Sequence, residues 1–88
     1  MMEPADIQDR LMDFLRREVF SDRTDLTADT DLIASGFDSL SLVALLLFIE
    51  KTFQVWVPEG EINETTLQNA RTLTALIVRL LDERQPAS

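Results

Sequence analysis

The sequence predicts an all-α fold, with three longer helices and one short helix around a single core. Two observations carry this reading. With only 2 Gly and 3 Pro in 88 residues, long stretches are free of both, which disfavours a strand-and-turn architecture. Apolar residues also recur at three- and four-residue spacing in three separate segments. A chain this long makes one domain, residues 1–88, with its core over about 5–83 and frayed termini. Hydrophobic residues form 45% of it, enough for a modest core without metal or disulfide staples.

The first helix is expected from about Pro4 or Ala5 to Val19. Ile7, Leu11, Phe14, Leu15 and Val19 make one buried stripe. Pro4 suits the first turn, where its missing N–H would be unpaired anyway, and Glu3, Asp6 and Asp9 sit near the positive end of the helix dipole. Residues 20–37 have little periodicity and read as a long loop, pinned by Leu26, Leu32, Ile33 and Phe37. Asp25, Asp29 and Asp31 do not make a calcium loop: no aspartate start has glycine at the sixth and glutamate at the twelfth position.

A second helix runs from about Ser39 to Phe53, with Leu42, Leu45, Leu46, Ile49 and Phe53 on its core face. Its opposite face, through Leu40, Ala44, Leu47 and Lys51, is also largely apolar. Gln54–Val57 is an extended link ended by Pro58. A short helix is expected around Glu64 to Asn69, capped by Asn63. The last helix, from about Arg71 or Thr72 to Glu83, has Leu73, Leu76, Ile77, Leu80 and Leu81 at i, i+3, i+4, i+7 and i+8. Trp56 reads as a partly buried surface packer rather than a ligand platform, at the border of any channel for a cargo arm.

The formal net charge is −8, which repels a nucleic-acid backbone and favours basic protein surfaces. Residues 21–38 hold five acids and one base, whereas 39–58 hold one of each; the negative potential gathers just before the second helix. The absence of cysteine and histidine removes thiol nucleophiles, disulfides, zinc-finger ligand sets and imidazole-based triads, and no metal-ligand set is read. The longest apolar run, Leu42–Ile49, is far too short to span a bilayer, and no secretory leader is evident, so a soluble cytoplasmic protein is expected.

Ser39 is the most informative residue. It stands where the acidic loop meets the apolar helix, and a helix N-terminus favours phosphate. Its hydroxyl can be a plain cap, an attachment point for a phosphate-bearing group, or a kinase target. It does not suit a catalytic nucleophile, because no base is available to activate it; no enzymatic activity is expected.

The run Thr30-Asp31-Leu32-Ile33-Ala34-Ser35-Gly36-Phe37-Asp38-Ser39-Leu40 resembles the loop and Asp-Ser-Leu motif of the acyl carrier protein superfamily, which includes peptidyl and D-alanyl carriers. Glu50-Lys51-Thr52-Phe53, Val57-Pro58, Thr72-Leu73 and the first-helix residues Leu11, Phe14 and Leu15 extend the match over about residues 5 to 82. The resemblance implies a four-helix acyl-carrier-protein-like bundle. It implies that Ser39 receives 4′-phosphopantetheine from coenzyme A through a phosphopantetheinyl transferase. The thiol of that arm would hold an acyl or aminoacyl group as a thioester, loaded by an acyl- or aminoacyl-loading ligase and delivered to downstream transferases. Asp38 would contribute to recognition by the transferase, and Leu40 with the exposed side of the second helix would meet partners.

Two departures point away from housekeeping fatty acid synthesis and towards a specialised stand-alone carrier, expected to be a monomer. The outward positions Ser41, Ala44, Leu47 and Lys51 leave only Glu50 acidic, where that branch has a strongly acidic helix. The interval from Pro58 to Thr72 is also longer, closer to D-alanyl and secondary-metabolism carriers. Leu40, Val43, Ala44 and Leu47, with Phe48 at the margin, therefore read either as an apolar docking face or as extra packing against the 20–37 loop. A helical interaction domain of the same fold that bears no prosthetic group is the competing functional reading.

Overall fold

The structure is a computed structural model that describes residues 3–22 and 25–84, with Arg84 described by its backbone alone. The expected fraying of Gln85–Ser88 lies outside the described residues. Helix α1 spans Pro4–Phe14 and continues as a π-helical turn, Leu15–Val19; α2 spans Ser39–Phe53, and α3 spans Ala70–Arg84. A single 3₁₀ turn forms at Glu59–Glu61, and no strand occurs among the described residues. The architecture is all-helical, with α1 packed along α3 and α2 closing the core.

α1 and α3 bury most of the stripe their periodicity marks, whereas of the expected core face of α2 only Leu45, Ile49 and Phe53 are buried and Leu42 and Leu46 are half-buried. Ile7, Leu11 and Leu15 meet Leu45 and Ile49 of α2 and Leu73 and Ile77 of α3 in the fully buried centre. The π turn adds one residue to the end of α1, and the Phe20 amide donates to the Leu15 carbonyl at 2.7 Å. That wider turn accompanies a buried Phe20 and a half-buried Val19, so the core continues one residue into the segment expected to be loop.

The long loop is held by its apolar residues and by the start of α3. Leu26 and Leu32 are buried and Phe37 packs partly against the core, but Ile33 is exposed, so it does not pin the loop as expected. The Leu32 amide donates to the Gln68 carbonyl at 2.8 Å, and the Arg71 amide donates to that of Ala28 at 3.1 Å. The Arg71 guanidinium grips Asp29 through two nitrogens, at 2.7 and 3.2 Å. Hydrogen bonding and charge from Arg71 hold the Asp29 carboxyl below its ordinary range.

The expected short helix at Glu64–Asn69 is instead a turn. Asn63 Oδ1 accepts the amides of Thr65 and Thr66 at 2.9 and 3.0 Å, and Leu67 donates back to the Asn63 carbonyl. One turn closes there and goes no further, because Asn69 caps α3. Its Oδ1 accepts the Thr72 amide at 2.8 Å while Thr72 Oγ1 accepts the Asn69 amide at 3.1 Å.

Candidate functional site

The loop delivers the chain to α2 through a tight turn. Asp31 Oδ1 accepts the Ala34 amide at 3.0 Å, and Ser35 Oγ donates to the Asp31 carbonyl at 2.7 Å. Gly36 adopts φ 102°, a conformation that side chains disfavour, and Phe37 then returns its amide to the Leu32 carbonyl at 3.0 Å. The backbone leaves this turn extended at Asp38, with φ −114° and ψ −174°.

Asp38, not Ser39, is the N-cap of α2. Its Oδ1 accepts the Ser41 amide at 2.9 Å. That amide, and secondarily the Ser41 hydroxyl, hold the Asp38 carboxyl below its ordinary range. Ser39 occupies the first helical position. It is exposed, and its hydroxyl has no hydrogen-bond partner among the described residues. The capping duty that would explain a serine here belongs to its neighbour. A phosphodiester fits this position: the oxygen is reachable, the backbone under it is fixed by a 15-residue helix, and the helix N-terminus offsets negative charge.

The outer face of α2 is apolar and open. Leu40 is 82% exposed, and Val43 and Leu47 are each more than half exposed, so these three do not pack against the 20–37 loop. Ala44 is half-buried and touches the core. Phe48 turns inward, stacking on Phe14 with ring centroids 4.5 Å apart and meeting Phe53 edge-on at 5.9 Å; it belongs to the interior, not to the outer margin. Trp56 is 73% exposed, so it is not the partly buried packer expected of it. With Val43, Leu46, Leu47, Glu50 and Glu59 it lines an open groove of about 400 Å³ beside α2. This groove was not legible from α2's pattern alone, because its second wall comes from the segment after Val55.

Among the described residues no group of three or more His, Cys, Asp or Glu is placed to hold a metal ion, and no helix is long and apolar enough to cross a membrane.

The phosphopantetheine attachment site family matches residues 6–82. The chain is 33% identical over 79 residues to D-alanyl carrier proteins of two strains of Lactobacillus delbrueckii subsp. bulgaricus, covering 89% of this chain and 98% of each relative. It is also similar in fold to a chain in the crystal structure of Bradyrhizobium japonicum glycine:[carrier protein] ligase complexed with its cognate carrier protein and an analogue of glycyl adenylate. That likeness has a TM-score of 0.67 at 24% identity and covers 86% of this chain and 96% of that one. The chain belongs to the acyl carrier protein superfamily, as a non-enzymatic carrier protein of the kind that bears covalent 4′-phosphopantetheine.

Proposed function

We propose that this single domain is a dedicated carrier of aminoacyl groups, with Ser39 as the phosphopantetheine attachment residue. The observation that carries the attachment reading is the exposed Ser39 hydroxyl at the first position of α2, without a hydrogen-bond partner among the described residues and relieved of capping by Asp38. The transferase would join Ser39 Oγ to the pantetheine phosphorus of coenzyme A as the pyrophosphate bond breaks. The hydroxyl proton passes to the transferase, and the nucleotide half departs. The Asp38 carboxylate, one residue before the serine, is a charge suited to a basic transferase surface. Once attached, the group supplies a thiol that a cysteine-free chain lacks.

Aminoacyl cargo in specialised metabolism is favoured over housekeeping fatty acid synthesis by two supports: the D-alanyl relatives and the low charge of α2. A similar fold occurs in a ligase complex with a cognate carrier, so a loading ligase is the natural partner. Leu40, Val43, Ala44 and Leu47 form its docking face, in a monomer acting in the cytoplasm. Intact-protein mass spectrometry after co-expression with a broad-specificity transferase tests the attachment. A phosphopantetheine increment present in the wild type and absent in Ser39→Ala is expected. No increment, or one that survives the substitution, would overturn the reading in favour of an interaction domain without a prosthetic group.

A further inference from the structure

Arg71 stands where a cation is disfavoured. It is the second residue of α3, and the positive end of the helix dipole acts against its charge. The 20–37 loop supplies the offset. The Arg71 guanidinium holds Asp29 with Nε at 2.7 Å from Oδ1 and Nη2 at 3.2 Å from Oδ2, a fork that a lysine could not reproduce. The Arg71 amide, which its place in the first turn leaves without an intrahelical acceptor, donates to the Ala28 carbonyl at 3.1 Å. Asp29 itself sits in a closed turn: the Thr30 amide donates to the Thr27 carbonyl at 3.1 Å, and the Thr27 amide to Thr30 Oγ1 at 2.9 Å.

From this clamp a series of backbone bonds leads to the attachment serine. Buried Leu32 donates its amide to the Gln68 carbonyl at 2.8 Å, so a second point of the loop is tied to the approach to α3. The Leu32 carbonyl in turn accepts the amides of Ser35 and Phe37, at 3.1 and 3.0 Å. Those two bonds fold residues 32–37 into the turn that ends at the cap, Asp38, and at Ser39. Ile33, Ala34 and Gly36 of this turn are exposed, directly before the serine that an enzyme must reach. A second arginine of α3, Arg79, grips Glu61 at 2.6 Å. The chemistry is the same, but that bond ties down the segment after α2 and not the one before Ser39.

We propose that Arg71 and Asp29 are positioning residues for the modification of Ser39: their ion pair holds the 20–37 loop on α3 and presents the turn before the serine to the transferase already ordered. This rests on the carrier reading above and goes beyond it by giving two residues that do not touch the serine a part in its recognition. A surface that is ordered beforehand binds at a lower entropic cost than one ordered on contact. The pair therefore acts on the KM for the apo-carrier and leaves kcat alone.

The test measures transfer of phosphopantetheine from coenzyme A to the full chain by a broad-specificity transferase, together with amide hydrogen exchange of the apo-protein. Asp29→Asn and Arg71→Gln should each raise KM about two- to fivefold, the range open to one exposed ion pair, with kcat unchanged. The first substitution makes the net charge of −8 less negative and the second makes it more so, so long-range steering would move KM in opposite directions. Arg79→Gln makes the same charge change as Arg71→Gln and should not raise KM. The Asp29→Asn/Arg71→Gln double variant should match either single, because both remove one interaction. Exchange at Leu32 and Phe37 should quicken in the Asp29 and Arg71 variants alone, while buried Ile49 and Ile77 keep their protection. Opposite KM changes in the two single variants, effects that multiply in the double, a KM rise in Arg79→Gln, or unchanged exchange at Leu32 and Phe37 would overturn the proposal and leave attachment at Ser39 intact. Loss of protection at Ile49 and Ile77 as well would make the pair a general stability element and overturn it too. No modification of Ser39 in the wild type would overturn both the proposal and the carrier reading.

Discussion

Two adjacent residues divide the work at the start of α2, and substitution separates their roles. Asp38 accepts the Ser41 amide, while the Ser39 hydroxyl has no hydrogen-bond partner among the described residues. Ser39→Ala should therefore leave stability within about 0.5 kcal/mol, as for a surface change away from any cap, and alanine is the better helix former. A thermal midpoint lowered by more than a few degrees would return the capping role to Ser39. Asp38 supplies a pH signature. Its carboxyl lies below the ordinary value of 3.8 in the folded chain, so its contribution is fully present above that value and is lost as pH falls through the folded one. Asp38→Asn keeps a capping oxygen that does not titrate. The variant should thus lose less stability than the wild type between about pH 5 and pH 2, with their thermal midpoints converging or crossing on the acid side. Parallel acid limbs would remove the Asp38–Ser41 bond from the pH dependence.

At the scale of elements, α2 has two apolar faces that do different work. Leu45 and Ile49 are fully buried, whereas Leu47 is 57% exposed. Leu45→Ala or Ile49→Ala should cost about 2–5 kcal/mol, lowering the thermal midpoint by roughly 4–8 °C per kcal/mol in a domain of this size. Leu47→Glu should change it by no more than ~0.5 kcal/mol. If urea titration instead shows loss of folding in Leu47→Glu, the outer stripe is core. The sequence could not separate these outcomes: when both faces of a helix are apolar, its periodicity no longer says which one is wet. The three helices were legible because α1 and α3 have one clear stripe each, with polar residues opposite. Inward Phe48, exposed Ile33 and exposed Trp56 were not legible, since each depends on where a second element passes. The π turn and the missing short helix have local causes: an extra residue at Phe20, and two asparagines that cap successive turns too close together for a helix between them. The proposal of Ser39 as the attachment residue comes from its neighbours in the sequence, whereas the assignment of the cap to Asp38 needed the backbone.

Across the whole molecule, charge is distributed around α2 rather than on it. Residues 21–38 and 59–70 are acidic, while 39–58 are neutral as a set, and the exposed part of α2 is Leu40, Val43 and Leu47. On the proposed docking face, a partner would be steered by the flanking acids and held by the apolar centre. Steering acts on the association rate and is screened by salt, whereas burial of Leu47 acts on dissociation. One buried leucine contributes about 1.5–3 kcal/mol, which is tenfold or more in affinity. With the cognate ligase, Leu47→Glu should raise the KM for the carrier about tenfold or more with little change in kcat. Raising ionic strength should slow association of the wild type and of an uncharged Leu47→Gln variant by the same factor, because the acids outside α2 are common to both. Surface plasmon resonance at low and physiological salt separates the two effects. A variant that binds as tightly as wild type would exclude the outer face of α2 as the docking surface. A dissociation rate that responds to salt as strongly as association does would place the contact on the acidic flanks instead.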